Sequence, residues 1–270
     1  MREPSDLLRG RVAVITGATR GIGLHIAAAM AQAGANVVIA SRRIEAVEAI
    51  YDRFSRIPGV EVLGWAADVT RYADVEALGA QAVARFGQID IWVNNAGISG
   101  PYAATADIPP DRWRQVIETN LVGTFHGTYV ALRQMLPRNQ GKIINLVGAG
   151  AWEGARLPTF LSAYGSSKAG VLRFTQIVAE EYKGTRLSIL ALNPGMVRTV
   201  LTEQPEALTE EARASLARMD WVLATFGSPI EEGAALAVRM ASSETDGITG
   251  KLYRVQLGKL TLLRRLLRRR

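Results

Sequence analysis

Two short segments contain the residues whose types and spacing could do chemistry. One is the glycine-rich segment 16–23, and the other contains Tyr164 and Lys168, four residues apart. The glycines allow a ligand to approach the backbone closely, and the N–H groups of a helix beginning at Ile22 favour a pyrophosphate. Residues four apart on a helix share one face, so Tyr164 and Lys168 can act on the same proton. Together the segments predict hydride transfer, with a dinucleotide as hydride carrier and the phenol as proton donor.

The spacing also predicts that the phenol of Tyr164 is acidified. A free phenol has a pKa of about 10, and lowering it to about 7 requires roughly 4 kcal/mol of preferential stabilisation of the phenolate. One ammonium about 4 Å away, at an effective dielectric constant of about 20, supplies an energy of that size. We therefore expect Lys168 to bring the pKa of Tyr164 towards neutrality.

Alternating apolar runs and helical patterns predict the architecture that positions these segments. Short runs rich in Val and Ile predict strands at 12–16, 36–40, 60–65, 89–94, 142–147, 186–193 and 251–255. Helical patterns lie at 22–33, 43–56, 71–86, 110–137, 161–183, 203–218 and 229–241. The alternation predicts one doubly wound, Rossmann-type α/β domain over 1–258, with a parallel seven-stranded sheet in three layers.

Composition and charge restrict the functional classes. The chain of 270 residues has a formal net charge of +7, and six of those charges come from the last twelve residues. The rest of the chain is nearly neutral, so we expect no nucleic-acid partner. With no cysteine, no signal-peptide pattern and no apolar run long enough to span a bilayer, we expect a cytoplasmic protein.

The glycine spacing, G-x-x-x-G-x-G, resembles that of the short-chain dehydrogenase/reductase family. Asn94-Asn95-Ala96-Gly97 matches the N-N-A-G signature of that family, and Tyr164 and Lys168 match its Y-x-x-x-K motif. The resemblance covers roughly residues 10–255 and implies that Tyr164 gives or takes the proton. It also implies that Lys168 tunes the phenol and holds the ribose, and that Asn120, inside a predicted helix, anchors a water in a proton relay.

The same resemblance implies a set of cofactor contacts. They are Gly17, Thr19, Arg20, Gly21, Ile22 and Gly23 in the glycine segment, Asp68 and Val69 after the third strand, Asn95, Ala96 and Gly97 after the fourth, and Pro194, Gly195, Val197 and Thr199 after the sixth. Tyr164 and Lys168 complete the set.

The end of the second strand predicts the choice of nicotinamide. No acid occurs from Val37 to Ile44, where an NAD site would place one for the ribose hydroxyls. Instead Ser41, Arg42 and Arg43 follow the strand, and Arg20 stands in the glycine segment. Guanidinium groups match a 2′-phosphate, so the sequence favours NADP(H) over NAD(H). The alternative is that Arg42 and Arg43 form only a solvated helix start.

The serine that the family places just after the fifth strand is missing. Counting back from Tyr164 reaches Ala151, whereas alignment on the strand reaches Val147 or Gly148. Thr159 or Ser162 could fold back to donate the missing hydrogen bond, or backbone N–H groups of the glycine-rich stretch could replace it. The substrate could instead bring its own orienting group, or the protein could bind the nucleotide with little or no turnover.

Apolar residues on both sides of the site favour a small-molecule ketone or secondary alcohol over a sugar or acid. Candidate substrate contacts are Trp152, Thr159, Phe160 and Ser162, with Leu157 on the same wall and residues 196–226 as a cover. His25 and His126 are isolated, so no metal site is expected.

The C-terminal tail, from Lys259 to Arg270, alternates apolar and basic pairs at helical spacing. Such a helix could rest on an anionic membrane surface, pack on another subunit, or remain a frayed end. The family resemblance implies a homodimer or homotetramer. A rival to the enzyme interpretation is therefore an NADP(H)-binding sensor or scaffold that docks through this tail.

Overall fold

One parallel sheet organises the chain. The structure is a computed structural model that describes residues 6–155, 157–199 and 205–255. Its strands are β1 Val12–Thr16, β2 Asn36–Ser41, β3 Val62–Ala66, β4 Ile91–Asn94, β5 Gly141–Leu146, β6 Leu187–Asn193 and β7 Leu252–Arg254. They pair in the order β3-β2-β1-β4-β5-β6-β7, and every pairing is parallel. The predicted seven-stranded doubly wound sheet is confirmed.

Helices cover both faces of this sheet, as a parallel sheet requires. They are α1 Gly21–Gln32, α2 Ile44–Ser55, α3 Tyr72–Phe86, α4 Pro110–Ile117, α5 Gly123–Met135, α6 Ser162–Glu181, α7 Glu210–Leu216, α8 Met219–Phe226 and α9 Ile230–Ala241. Side chains of α1 and α9 pack with β1 and β2 in one core cluster, whereas those of α3 and α5 pack around Trp92 in a second cluster on the other face.

The strand order reverses beside β1, which pairs with β2 on one side and β4 on the other. Chain connections diverge there to opposite faces, which leaves a crevice at the carboxyl ends of the strands. The glycine segment, the N-N-A-G segment and the end of β5 all lie at this edge of the sheet. The topology therefore brings the predicted site residues to one place.

Two predicted helices differ from the structure. The predicted helix 110–137 is interrupted by a π-helical turn, Glu118–Val122, which includes Asn120. The Asn120 side chain, described below, makes its hydrogen bonds from this turn. In the predicted helix 203–218, the described part begins only at Glu210, after Thr209 caps it by accepting a bond from the Ala212 amide. A second helix, α8, follows where none was predicted.

The predicted basic tail, residues 259–270, lies outside the described residues. Within the described ranges, no helix combines the length and the apolar character that crossing a bilayer would demand.

Candidate active site

The glycine segment turns tightly from β1 into α1. Gly17 has a φ of +65°, and a side chain there would bring a Cβ to 2.8 Å from the Cα of Ala96. The Asn95 amide donates to the carbonyl oxygens of Thr16 and Gly17, at 2.9 and 3.0 Å. Part of the need for glycine therefore comes from the neighbouring loop rather than from a ligand.

The beginning of α1 suits an anion. Its N-cap residue, Arg20, makes no side-chain capping bond, and the first turn contains no acid. The first N–H groups of a helix have no partner within it, so a phosphate can accept them and gains from the helix dipole. The residues at this turn therefore fit the pyrophosphate of a dinucleotide.

Three arginines stand where the adenosine end of a dinucleotide would lie. The hydroxyl of Thr19 donates to Ser41 Oγ at 3.3 Å and so links the glycine segment to the end of β2. Arg20, Arg42 and Arg43 are exposed, and none of them forms an ion pair with another described residue. This end of the crevice is therefore cationic.

Asp68 and Val69 follow β3 at the same edge of the sheet. One Asp68 oxygen accepts bonds from the amide and the hydroxyl of Thr70, at 2.9 and 2.8 Å. The ring of His126 bonds the carbonyl oxygen of Val69 at 2.9 Å, so this histidine fixes the backbone here.

The N-N-A-G segment divides into a buried part and a part that lines the crevice. Asn94 is buried and accepts a bond from the Trp92 indole at 2.8 Å while donating to Asn145 Oδ1 at 2.8 Å. Its side chain therefore belongs to the core. Asn95, Ala96 and Gly97 are partly exposed at the crevice.

Asn120 ties this segment to α6. Its Oδ1 accepts a bond from the Ile98 amide at 2.8 Å, and its Nδ2 donates to the Ile98 carbonyl at 2.9 Å. The same Nδ2 donates to Ser167 Oγ at 2.9 Å, and Ser167 in turn donates to the carbonyl oxygen of Tyr164 at 2.7 Å. Asn120 makes these bonds from the π-helical turn Glu118–Val122.

Lys168 completes the cluster. Its Nζ donates to the Leu146 carbonyl at the end of β5, at 2.9 Å. A Cβ at Gly97 would lie 3.0 Å from Asn120 Oδ1 and 3.5 Å from Lys168 Nζ, so both groups converge on this glycine. Burial lowers the pKa of Lys168 to about 8.

The phenol of Tyr164 differs from its sequence prediction. Its ring centroid lies 6.0 Å from Lys168 Nζ. Burial raises the pKa of Tyr164 to about 12, with a smaller contribution from repulsion by Tyr102. The amine is directed to the Leu146 carbonyl rather than to the phenol, so in the structure of the chain alone desolvation outweighs the attraction that was expected to acidify Tyr164.

Gly148 occupies the position beside the phenol. A Cβ at Gly148 would overlap the Tyr164 hydroxyl and would lie 2.9 Å from its Cζ. Of the alternatives from alignment, Gly148 is thus the residue that faces Tyr164. A serine side chain at this position would require the tyrosine to move.

The predicted substrate contacts fall into separate places. Phe160 packs with Tyr164 in an apolar cluster that also contains Tyr102, Leu161 and Ala212. Trp152 instead packs with Val171 and Leu252 in a different cluster, and the Arg254 guanidinium lies 4.9 Å above its ring. Thr159 and Leu157 are exposed, and the buried Ser162 hydroxyl has no hydrogen-bond partner among the residues that the structure describes.

The segment after β6 closes the crevice from the other side. Gly195 has a φ of +83°, and its amide bonds the Asn193 side chain at 2.8 Å. A Cβ at Gly21 would lie 3.3 Å from Thr199 Cγ2, so Thr199 stands beside the glycine segment. Pro194 and Val197 are buried in the same turn.

Sequence reasoning missed the contact that covers Tyr164. The Tyr102 amide donates to the Glu206 carbonyl at 2.7 Å, and the Leu208 amide donates to the Tyr102 carbonyl at 3.0 Å. An aromatic residue soon after N-N-A-G was the available signal, but an irregular loop gives no periodicity from which to place it.

The fold and the crevice at its switch point define a doubly wound α/β protein of the dinucleotide-binding class. Comparison with known proteins narrows the class. Residues 11–210 match the family model described as short chain dehydrogenase. A D-beta-hydroxybutyrate dehydrogenase of Cupriavidus necator is 34% identical in an alignment 261 residues long, which covers 93% of this chain and 98% of the relative.

Two further proteins that are similar to this chain belong to the same class. The 3-oxoacyl-(acyl-carrier-protein) reductase FabG of Vibrio cholerae is 34% identical over 252 residues, 93% of this chain and 98% of that protein. A solved short-chain type dehydrogenase/reductase from Mycobacterium marinum superposes with a TM-score of 0.82 at 30% identity, covering 94% of this chain and 98% of that one. The chain belongs to the short-chain dehydrogenase/reductase family. It is an oxidoreductase that uses a nicotinamide cofactor and acts on alcohol or carbonyl groups.

The buried amine of Lys168 predicts a pH dependence of stability. In the unfolded chain Lys168 titrates near 10.5, whereas in the folded chain it titrates near 8. Between these values the unfolded state binds one more proton, so the free energy of unfolding rises with pH, by about 3 kcal/mol in total. Lys168→Met lacks this rise.

Urea denaturation of the wild type and of Lys168→Met at several pH values measures the effect. The unfolding free energy of the wild type, measured relative to that of Lys168→Met, should rise from about pH 8 upwards. Both proteins retain the buried Lys142, whose pKa burial also lowers, so its contribution cancels. Parallel pH profiles for the two proteins would show that Lys168 is not desolvated.

Proposed function

We propose that this protein uses NADPH to reduce the carbonyl group of a small apolar substrate, with Tyr164 as the proton donor. The observation that supports this best is the convergence of Asn120, Lys168 and Gly97 at the carboxyl end of the sheet, beside the phenol. The cofactor, when bound, supplies the hydride. The residues named above hold it, orient the carbonyl and move the proton.

Tyr164 needs help to exchange its proton, because burial keeps its pKa high. The amine of Lys168, protonated below about pH 8, is the nearest group on the same helix face that can stabilise a phenolate. Asn120 holds the loop and the helix between which the relay to solvent would pass. The proton therefore leaves from Tyr164 while Lys168 lowers the energy of the charge that remains.

The surroundings of Tyr164 favour an uncharged substrate. Tyr102, Phe160 and Leu161 belong to the apolar cluster that contains the Tyr164 ring, so the wall that they form beside it is apolar. A free carboxylate would be desolvated against this wall. We therefore favour a 3-oxoacyl ester or thioester, related to the substrate in the name of the FabG relative, over a free 3-oxo acid.

Steady-state assays of NADPH consumption test this function. With ethyl acetoacetate the wild type should turn over, and kcat/KM should exceed that for acetoacetate. Tyr164→Phe should lower kcat by about 100-fold or more, because it removes the general acid. Tyr182→Phe, the same change at a distant tyrosine, should have no effect. NADPH binding without turnover of any carbonyl compound in a broad panel would instead support the sensor interpretation.

The cationic crevice predicts the cofactor preference. Arg20, Arg42 and Arg43 have no acidic partner among the described residues, so a 2′-phosphate would meet unpaired guanidinium groups. Arg42→Asp should shift the ratio of kcat/KM for NADPH to that for NADH towards NADH by about tenfold or more.

Arg53→Asp, on the far end of α2, is the matched control for charge. It should leave the preference nearly unchanged, because it lies on the last turn of the helix. An equal ratio for the wild type and Arg42→Asp would remove the support for NADP(H).

An aromatic face supports self-association, which we propose as a homodimer or homotetramer. Phe125 and Tyr129 on α5 are 45% and 39% exposed, Tyr72 on α3 is 38% exposed, and Ile177 on α6 is 51% exposed. The rings are contiguous, with centroids 5.8 Å apart for Tyr72 and Tyr129. A contiguous apolar patch of this kind is typical of an interface, and a two-fold axis would bury it against itself.

Sedimentation velocity measures the association state. The wild type should sediment as a dimer or larger, and Phe125→Asp should shift the population towards monomer, because a carboxylate would be buried at the contact. Ile44→Asp changes an apolar residue that is 40% exposed on another face and should leave the mass unchanged. A monomeric wild type would contradict the proposal.

A further inference from the structure

The proposed reduction needs a second group on the carbonyl oxygen, and the hydroxyls considered from sequence are poorly placed to supply it. Gly148 has no side chain, and Thr159 is exposed. Ser162 lies two residues before Tyr164 on α6, and residues two apart on a helix do not face each other. Among the residues of the cluster that contains Tyr164, Tyr102 carries the other hydroxyl.

Tyr102 is held at this place by its backbone. Its amide and carbonyl bond residues 206 and 208 of the covering segment, at 2.7 and 3.0 Å. The next amide, of Ala103, donates to the carbonyl of Phe160 at 3.1 Å. Three backbone bonds thus fix Tyr102 between the loop before α6 and the segment that leads into α7.

The side chain of Tyr102 packs beside Tyr164. The residue is only 7% exposed and, together with Leu161 and Ala212, forms the buried part of the cluster on which Tyr164 packs. Repulsion between the two ionised phenols contributes to the raised pKa of Tyr164. In the described parts of the chain, no hydrogen bond satisfies the Tyr102 hydroxyl, although Phe at this position would fill the same apolar space.

We propose that the Tyr102 hydroxyl donates a hydrogen bond to the oxygen of the reacting carbonyl, in the role that a serine after the fifth strand would otherwise fill. This inference rests on the proposed reductase function. It makes Tyr102 a catalytic residue, since its hydroxyl touches the atom on which negative charge develops.

In this proposal the phenols of Tyr164 and Tyr102 have different roles. Tyr164 shares a helix face with the buried amine of Lys168, so it can give up its proton. Burial raises the pKa of Tyr102, and no cation acts on it. Tyr102 therefore keeps its proton throughout and remains a neutral donor. The hydrogen bond from Tyr102 strengthens as the carbonyl oxygen becomes negative. It weakens once Tyr164 has protonated that oxygen.

Tyr102→Phe tests the inference, because it removes only the hydroxyl and keeps the ring in the cluster. With NADPH and ethyl acetoacetate, kcat and kcat/KM should fall together by about 100-fold, the typical effect of losing one oxyanion donor. KM for the ketone, the dissociation constant of NADPH measured by its fluorescence, and Tm should stay at wild-type values. Tyr182→Phe is the matched control, and Ser162→Ala tests the rival donor.

Each outcome decides a different claim. An unchanged kcat in Tyr102→Phe, with activity still lost in Tyr164→Phe, would overturn the role of Tyr102 and leave the proposed function intact. A large loss in Ser162→Ala with none in Tyr102→Phe would assign the donor to Ser162. A lowered Tm, or a raised KM with unchanged kcat, would show that Tyr102 only packs. A wild type without turnover of any carbonyl compound would overturn both the function and the inference.

Discussion

The structure of the site depends on burying the amine of Lys168 at the carboxyl end of β5. A buried ammonium is costly unless it is bonded, and among the described residues the carbonyl oxygen of Leu146 accepts from it. The bond ties α6 to the carboxyl end of β5. One turn earlier on α6, Tyr164 lies over Gly148, where only the absence of a side chain leaves room for the phenol. The lowered pKa of Lys168 is the physical consequence of the same burial.

Asn120 supplies the second constraint, because it joins two parts of the chain that the sheet alone does not connect. Its amide spans the backbone of Ile98 and the hydroxyl of Ser167. Asn120 lies in the π-helical turn at residues 118–122, and turns of this kind are frequent at functional sites. Below the crevice, Asn94 and Asn145 form a comparable network, in which a side-chain hydrogen bond joins β4 to β5.

The sequence was sufficient for the sheet and for the segments with fixed spacing. Strands buried on both faces have sequences rich in Val and Ile. The turn after β1 is marked by glycines at positions where a neighbouring loop comes too close for a side chain. The pKa of Tyr164 was predicted in the wrong direction, because spacing along a helix does not report desolvation or the partner that an amine selects. Trp152 was assigned to the wall of the substrate site, and this stays a prediction; its ring packs on the cluster that contains Val147 and Ala151, in a loop with three glycines and no periodicity to indicate its path. The role of Tyr102 depends on backbone bonds between distant loops, which no local pattern encodes.

These backbone bonds couple the cover of the site to its chemistry. The segment that leads into α7 is attached to Tyr102 by two backbone bonds, and its Glu206 pairs with Arg112 at 2.5 Å on the exposed surface. An exposed ion pair contributes little, and each backbone bond contributes about 1 kcal/mol, so separating these contacts costs about 2–3 kcal/mol. Any separation of residues 206 and 208 from Tyr102 would therefore also release the backbone of that residue. The contacts that hold the covering segment in place are thus the same ones that position the proposed donor.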